Sequence, residues 1–280
     1  MEGLVKYGLG DWCFPRDIPN VTPMDNRFSD SCYYYRMQKI AAVTAEIFGE
    51  QALSQEYNDA AMQTKSAIIK AFVEGDRVDN DGQGALACAL YYDLVEGEQA
   101  EAVLNKLVKL IEQNDYAFHV GILGVKALLN VLCEYERTDV AYKMIARTEY
   151  PSYGFWRLQG ATTLWEDWDG YRSQNHHMFG DVLNVMARYI AGLRNLGVRY
   201  NECLIQPYFF AESCSAAAET RVGGERLSIS WEKKEDEFIL NYEIPFGVNA
   251  TLKVEGMPSV ALEQGAHCLK MLLKENKNGN

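Results

Sequence analysis

Through the first two thirds of the chain, apolar residues recur every three or four positions between short polar breaks. That period marks amphipathic helices packed on a core. It predicts helices over 29–48, 54–74, 83–95, 98–113, 121–136, 139–147 and 178–196. In the first, Tyr33, Met37, Ile40, Val43, Ala45 and Ile47 fall near helical spacing. In the fourth, Ala102, Leu104, Leu107, Val108 and Ile111 form the stripe. Ser29 or Asp30, and Ser54, suit helix starts, while Gly49, Gly75 and Gly197 suit helix ends. Short links make neighbouring helices antiparallel, so this part reads as a series of helical hairpins. Gly121 and Gly124 suggest a close helix contact, because a missing Cβ lets backbones approach.

Beyond Gln206 the period falls to two. Leu227, Ile229 and Trp231 alternate with polar residues, as do Phe238, Leu240, Tyr242 and Ile244, and Ala250, Leu252 and Val254 suggest a third strand. The polar run 232–236 reads as the hairpin turn between the first two. The fold class expected is therefore mainly α with a C-terminal β-domain, divided as 1–204 and 205–280, and the polar tail Lys274–Asn280 is expected to fray.

Charge narrows the partners. With 27 Lys and Arg against 39 Asp and Glu the net charge is −12, which argues against nucleic acid and against a basic membrane-surface helix. No apolar run approaches the roughly 18 residues of a membrane span, and the first residues lack the apolar core of a secretion signal. The compartment stays open. The seven cysteines are scattered without a C-x-x-C pair, so neither a disulfide framework nor a zinc site is indicated. Phosphate-binding glycine patterns and a G-x-S-x-G elbow are absent, and no cofactor is expected.

Candidate chemistry concentrates in residues 161–180, ATTLWEDWDGYRSQNHHMFG, where three acids, two tryptophans and two histidines fall within thirteen positions. Carboxylates beside aromatic rings suit a sugar, whose C–H faces pack on rings and whose hydroxyls need polar partners. The same block also fits a helix-flanking loop with solvated acids and structural tryptophans. Adjacent histidines such as His176 and His177 diverge on a helix and are a weak metal signal. Gly10-Asp11-Trp12-Cys13 forms a second aromatic–acid cluster, equally compatible with a turn around a packed tryptophan.

The run Gln159–Gly170 (QGATTLWEDWDG), followed by Asn175–Gly180 (NHHMFG), resembles bacterial α-L-rhamnosidases of glycoside hydrolase family 78. So do Tyr7–Trp12 (YGLGDW), Gly121–Gly124 (GILG) and Tyr150–Gly154 (YPSYG), in the family's order. The resemblance implies an (α/α)6 catalytic barrel, here incomplete, followed by an antiparallel β-sandwich. It implies release of terminal α-L-rhamnose from a glycoside or polysaccharide by an inverting mechanism, with acid and base about 6.5–9.5 Å apart. Glu166 corresponds to the general base, His176 to a rhamnose contact and Trp12 to an aromatic wall, with Asp11 beside it in the sugar site. Trp165 and Trp168 are expected to support Glu166 by packing. The family's general-acid motif, D-C-P-x-R-x-E-R-x-G-W-T-G-D, has no counterpart here. The chain is accordingly expected to be a fragment, inactive alone, that pairs with a missing N-terminal part or forms a homodimer. The alternative is a noncatalytic carbohydrate-binding or scaffold protein on the same fold.

Overall fold

Every helix predicted before residue 150 is present, with ends displaced by at most four residues. The computed structural model describes residues 3–197, 201–210, 214–234 and 237–273; the expected frayed tail 274–280, and Glu235 and Asp236 of the expected hairpin turn, lie outside them. Two compact units divide the chain, Met1–Asp181 and Val182–Asn280.

In the first unit, α1 (Asn26–Ile47) and α2 (Gln51–Phe72) form a hairpin closed by Gly49 at φ +79°. A two-stranded ribbon, β1 (Val73–Glu74) and β2 (Arg77–Val78), turns the chain into α3 (Gln83–Tyr91). Then come α4 (Gly97–Gln113), α5 (Ile122–Glu134), α6 (Thr138–Ala146) and the short α7 (Tyr153–Leu158). Helix α3 packs on both α4 and α5, and α5 on α6. Residues Gln83–Leu90 of α3 are all buried, and α5 is buried on nearly every face. Both sequences are apolar all round, as central helices require. The outer helix α4 instead buries one stripe, including Val103, Leu107 and Ile111.

Helix α1 departs from the simple stripe. Its buried residues are Phe28, Cys32, Tyr35, Ala42 and Ala45. Tyr33, Met37, Ile40, Val43 and Ile47 lie 47–77 % exposed. The helix is apolar on two faces, and α2 and α3 cover only one of them.

The helix predicted over 178–196 is much shorter. It consists of α8 (Asp181–Val185) and one π-helical turn over Met186–Ile190. Gly192 stops it at φ +89°, where an added Cβ would sit 2.3 Å from the Gln206 carbonyl. Backbones approach too closely there for any other residue, and the chain leaves the helix for β3 (Leu193–Asn195), ahead of the strand onset expected near 205.

The second unit then adds β4 (Glu202–Ile205), β5 (Ser215–Val222), β6 (Glu225–Lys234), β7 (Glu237–Ile244), β8 (Asn249–Leu252), β9 (Val260–Leu262) and β10 (Gly265–Leu272). One sheet has the order β10-β7-β6-β5 and the other β3-β4-β8-β9. All pairs are antiparallel except β4 with β8, which run parallel because the intervening strands belong to the other sheet. The alternating Leu227, Ile229, Trp231, Phe238, Leu240 and Tyr242 meet Leu193, Ile205, Ala250 and Leu252 in one shared core, which makes a β-sandwich.

Candidate functional site

Alternate helices of a hairpin series run the same way, so the segments entering α1, α3, α5 and α7 meet at one end. Side chains lace them together. The Asn80 amide donates to the carbonyls of Thr22 and Pro23 at 3.1 and 3.0 Å, and Asp79 accepts from the Asp25 amide at 2.7 Å. Buried Gln83 donates to the Ala117 carbonyl at 3.0 Å and accepts from the His119 amide at 2.9 Å. Arg16 N–H donates to the Tyr150 hydroxyl at 3.0 Å. The residues of sequence interest lie on this rim.

Asp11 is 5 % exposed, and its carboxylate caps α5: Oδ2 accepts from the Gly121 amide at 2.7 Å and Oδ1 from the Gly124 amide at 2.8 Å. Ile122 N–H adds a 2.8 Å bond to the Trp12 carbonyl. A Cβ on Gly121 would lie 2.3 Å from that oxygen, and one on Gly124 would lie 2.8 Å from the Asp11 carboxylate, which is the physical requirement behind the two glycines read from the sequence. Asp11 thus fixes the backbone of Trp12, whose indole is 38 % exposed. Burial pushes the Asp11 carboxyl up to about 6, and the amides of Gly121, Gly124 and Leu123 only partly pull it back. The amide resonances of Gly121 and Gly124 are therefore expected to titrate with a midpoint near 6 in a pH series. A midpoint near the ordinary aspartate value would contradict this. Because the folded value is raised, the pH-linked part of Asp11's contribution to stability is fully present below the unfolded value and is lost as pH rises through about 6.

The 161–180 segment folds back on itself. Glu166 N–H donates to the Ser173 carbonyl and His176 N–H to the Leu164 carbonyl, both at 2.8 Å. The Glu166 carboxylate accepts from the Ser173 amide at 3.3 Å and lies 3.9 Å from the Arg172 guanidinium. Arg172 also sits 3.5 Å from Asp167 and 4.8 Å over the Trp12 ring centre. Arg16 reaches Asp167 at 3.3 Å and Asp169 at 3.5 Å. Buried Asp167 therefore ties the 8–20 loop to the 161–180 loop. Burial raises its carboxyl above the ordinary range, and the Arg172 amide opposes that shift.

Glu166 and Trp12 are thus brought together through Arg172. The His176 imidazole is placed differently: Nδ1 accepts from the Met178 amide at 3.4 Å and the ring stacks on His177 at 5.7 Å. Trp165 and Trp168 are buried beneath the loop. Trp168 stacks on Phe118 at 5.0 Å, and its indole N–H donates to the Val120 carbonyl at 2.8 Å. This anchors the 161–180 segment to the residues just before α5. Arg16 and Arg172 were not singled out in the sequence. Each follows an aromatic or proline in a loop rich in aspartates, and only the folding back of both loops shows that they share a partner.

A cavity of about 150 Å³ lies between these loops, lined by Trp12, Arg16, Tyr150, Asp167, Trp168 and Arg172 among others. Glu166 adjoins it through Arg172. Cys13 also lines it, but burial, followed by the nearby Glu166 charge, pushes its thiol up to about 11. A neutral thiol is a poor nucleophile. Among the described residues, no group of three or more His, Cys, Asp or Glu side chains is arranged to hold a metal ion. The arrangement offers a carboxylate, cationic donors and an aromatic face around a small polar hollow.

Residues 1–190 match the family model described as the bacterial α-L-rhamnosidase 6 hairpin glycosidase domain, and 192–267 match the model of the C-terminal domain of the same enzymes. The chain belongs to the bacterial α-L-rhamnosidase family. Among its relatives, the α-L-rhamnosidase of Streptomyces avermitilis is 30 % identical over 258 residues, a match covering 87 % of this chain and 24 % of that enzyme. An α-L-rhamnosidase of Formosa agariphila is 27 % identical over 261 residues, covering 88 % of this chain and 28 % of the relative. The crystal structure of the Streptomyces enzyme complexed with L-rhamnose superposes with a TM-score of 0.84 at 27 % identity, over 95 % of this chain and 28 % of that one. The Dictyoglumus thermophilum α-L-rhamnosidase structure gives 0.88 at 26 % identity, over 97 % and 34 %. This rhamnosidase-family chain therefore spans about a quarter to a third of the length of these relatives. Helical hairpins followed by a β-domain are common to them all.

Proposed function

We propose that this chain carries the general-base side of an inverting α-L-rhamnosidase site. Glu166 activates water, and Trp12 and Arg172 form the wall against which a terminal α-L-rhamnose packs. The observation that carries the reading is the convergence of Glu166, Arg172 and Trp12 at one rim, in a family whose Streptomyces member was crystallised with L-rhamnose. His176 enters as a rhamnose contact from the same folded-back segment. Asp11 acts beneath Trp12 as its positioning residue.

The general acid is supplied from outside this chain. Asp11 accepts from two α5 amides, and Asp167 is engaged by Arg16 and Arg172. Neither is placed to protonate a leaving group. The purified chain is expected to bind L-rhamnose, read as a shift of the Trp12 indole N–H resonance, and to hydrolyse an aryl α-L-rhamnoside negligibly. Turnover at the rate of an intact rhamnosidase would overturn the assignment of a missing acid, and an unmoved Trp12 signal would overturn the sugar site.

The lack of the acid motif also keeps a carbohydrate-binding role on the same fold in view. The two part on Glu166→Gln, placed in a polypeptide that supplies the acid. A catalytic Glu166 loses hydrolysis but keeps binding, whereas a binding protein has no hydrolysis to lose.

A further inference from the structure

Arg172 has two carboxylates within reach and is held by one of them. Its backbone N–H donates to Asp167 Oδ1 at 3.2 Å, and its side-chain Nε stands 3.5 Å from Asp167 Oδ2. Asp167 therefore grips the residue by both main chain and side chain. Glu166 Oε1 lies 3.9 Å from Arg172 Nη1, beyond hydrogen-bond reach. The face of the guanidinium, meanwhile, lies over the Trp12 ring.

Burial accounts for this division. The Asp167 side chain is 5 % exposed and that of Glu166 20 %, and an ion pair gains more where water screens it less. A buried carboxylate stripped of its partners is costly, so Asp167 holds its cations firmly. Arg16 is the other cation, 3.3 Å from Oδ2, and it reaches on to Asp169 at 3.5 Å.

The consequence falls on Glu166. Its Oε2 accepts from the Ser173 amide at 3.3 Å, while no hydrogen bond from the described residues reaches Oε1. A general base must offer a lone pair to the water it deprotonates. A guanidinium bonded directly to the same carboxylate would fill that lone pair and weaken the carboxylate as a base.

We propose that Asp167 is a positioning residue for the hydrolysis: it holds Arg172 away from Glu166, so that the arginine serves the Trp12 wall and Glu166 Oε1 stays free for water. This rests on the general-base role proposed above for Glu166. It gives the buried neighbour of the base a task that needs no contact with the sugar.

Asp167→Asn is the test. Asparagine keeps the shape and an oxygen for the Arg172 amide, and removes the charge that holds the guanidinium. A crystal structure of this variant of the 280-residue chain is expected to show Arg172 closed on Glu166 at about 2.8 Å, against 3.9 Å in the native chain. An unchanged separation overturns the proposal. In a polypeptide that supplies the general acid, kcat on an aryl α-L-rhamnoside is expected to fall about 10-fold or more. Adding Arg172→Gln to Asp167→Asn is expected to restore most of that kcat while KM stays raised, because the arginine that blocked the base is gone and the Trp12 wall is still incomplete. A merely structural Asp167 gives a double variant no faster than the single one, which overturns the proposal. Should Asp167→Asn not fold, Arg172→Gln decides alone: KM is expected to rise with kcat changed by less than about threefold, and a kcat loss as large as that of Glu166→Gln overturns the proposal. Closure of Arg172 on Glu166 in the variant, beside a native polypeptide that hydrolyses no rhamnoside, supports the hold of Asp167 on Arg172 and sinks the rhamnosidase reading by itself.

Discussion

Glu166→Gln is expected to lower rhamnoside hydrolysis by at least about 10²–10⁴-fold, the usual contribution of a general base. The substitution keeps the size of the side chain and one carbonyl oxygen to accept from the Ser173 amide. Arg172 loses its contact with a charged Glu166 but retains Asp167 at 3.5 Å and the Trp12 ring at 4.8 Å. The cavity wall therefore survives, and rhamnose affinity should change by less than about threefold, since an exposed ion pair is worth roughly 0–1 kcal/mol. The measurement is kcat and KM on an aryl α-L-rhamnoside, in a polypeptide that supplies the general acid, beside L-rhamnose binding by calorimetry. A loss confined to KM would assign Glu166 to binding, because a group used only in the transition state lowers kcat.

The second large effect is on stability. Asp11→Ala removes the acceptor of two buried amides, each costing about 1–3 kcal/mol when left unpaired, so a loss of about 2–6 kcal/mol is expected. Gly121→Ala should cost a similar amount by the opposite route. Its Cβ meets the backbone oxygens of Trp12 and Asp11 at 2.3 and 2.4 Å, and neither can move without breaking the cap on α5. Gly124→Ala meets the Asp11 side chain at 2.8 Å and Val120 at 2.9 Å, which is less severe. The order expected from urea unfolding is therefore Gly121→Ala worse than Gly124→Ala. Equal and small losses would show that the 8–15 segment does not depend on its contact with α5.

Much of this was legible in the chain itself. Helix positions followed from period and from glycine stops, because α4 and α6 carry one-sided stripes that no strand could satisfy. The Gly121–Gly124 contact was readable because only a missing side chain explains paired glycines at a helix start. The buried face of α1 was not readable: Tyr33, Met37 and Ile40 are as apolar as the face that packs, and a pattern cannot say which neighbour is present. The end of α8 was missed because Gly192 stops it through contact with Gln206, fourteen positions on. In the site, Glu166 and Trp12 were visible as residue types in dense motifs. Arg16 and Arg172 were not, since their significance lies in partners fixed only by the fold.

The lacing of the rim has a bearing on redesign. No single loop there is an independent module: Asn80 holds 22–23, Gln83 holds 117 and 119, and Arg16 holds 150 and 167. Exchanging one of these segments with that of a relative, to alter substrate range, would strand its neighbours' donors. Transplants across this family should therefore travel as a matched set of all the interlocked segments, with the helices left as they are.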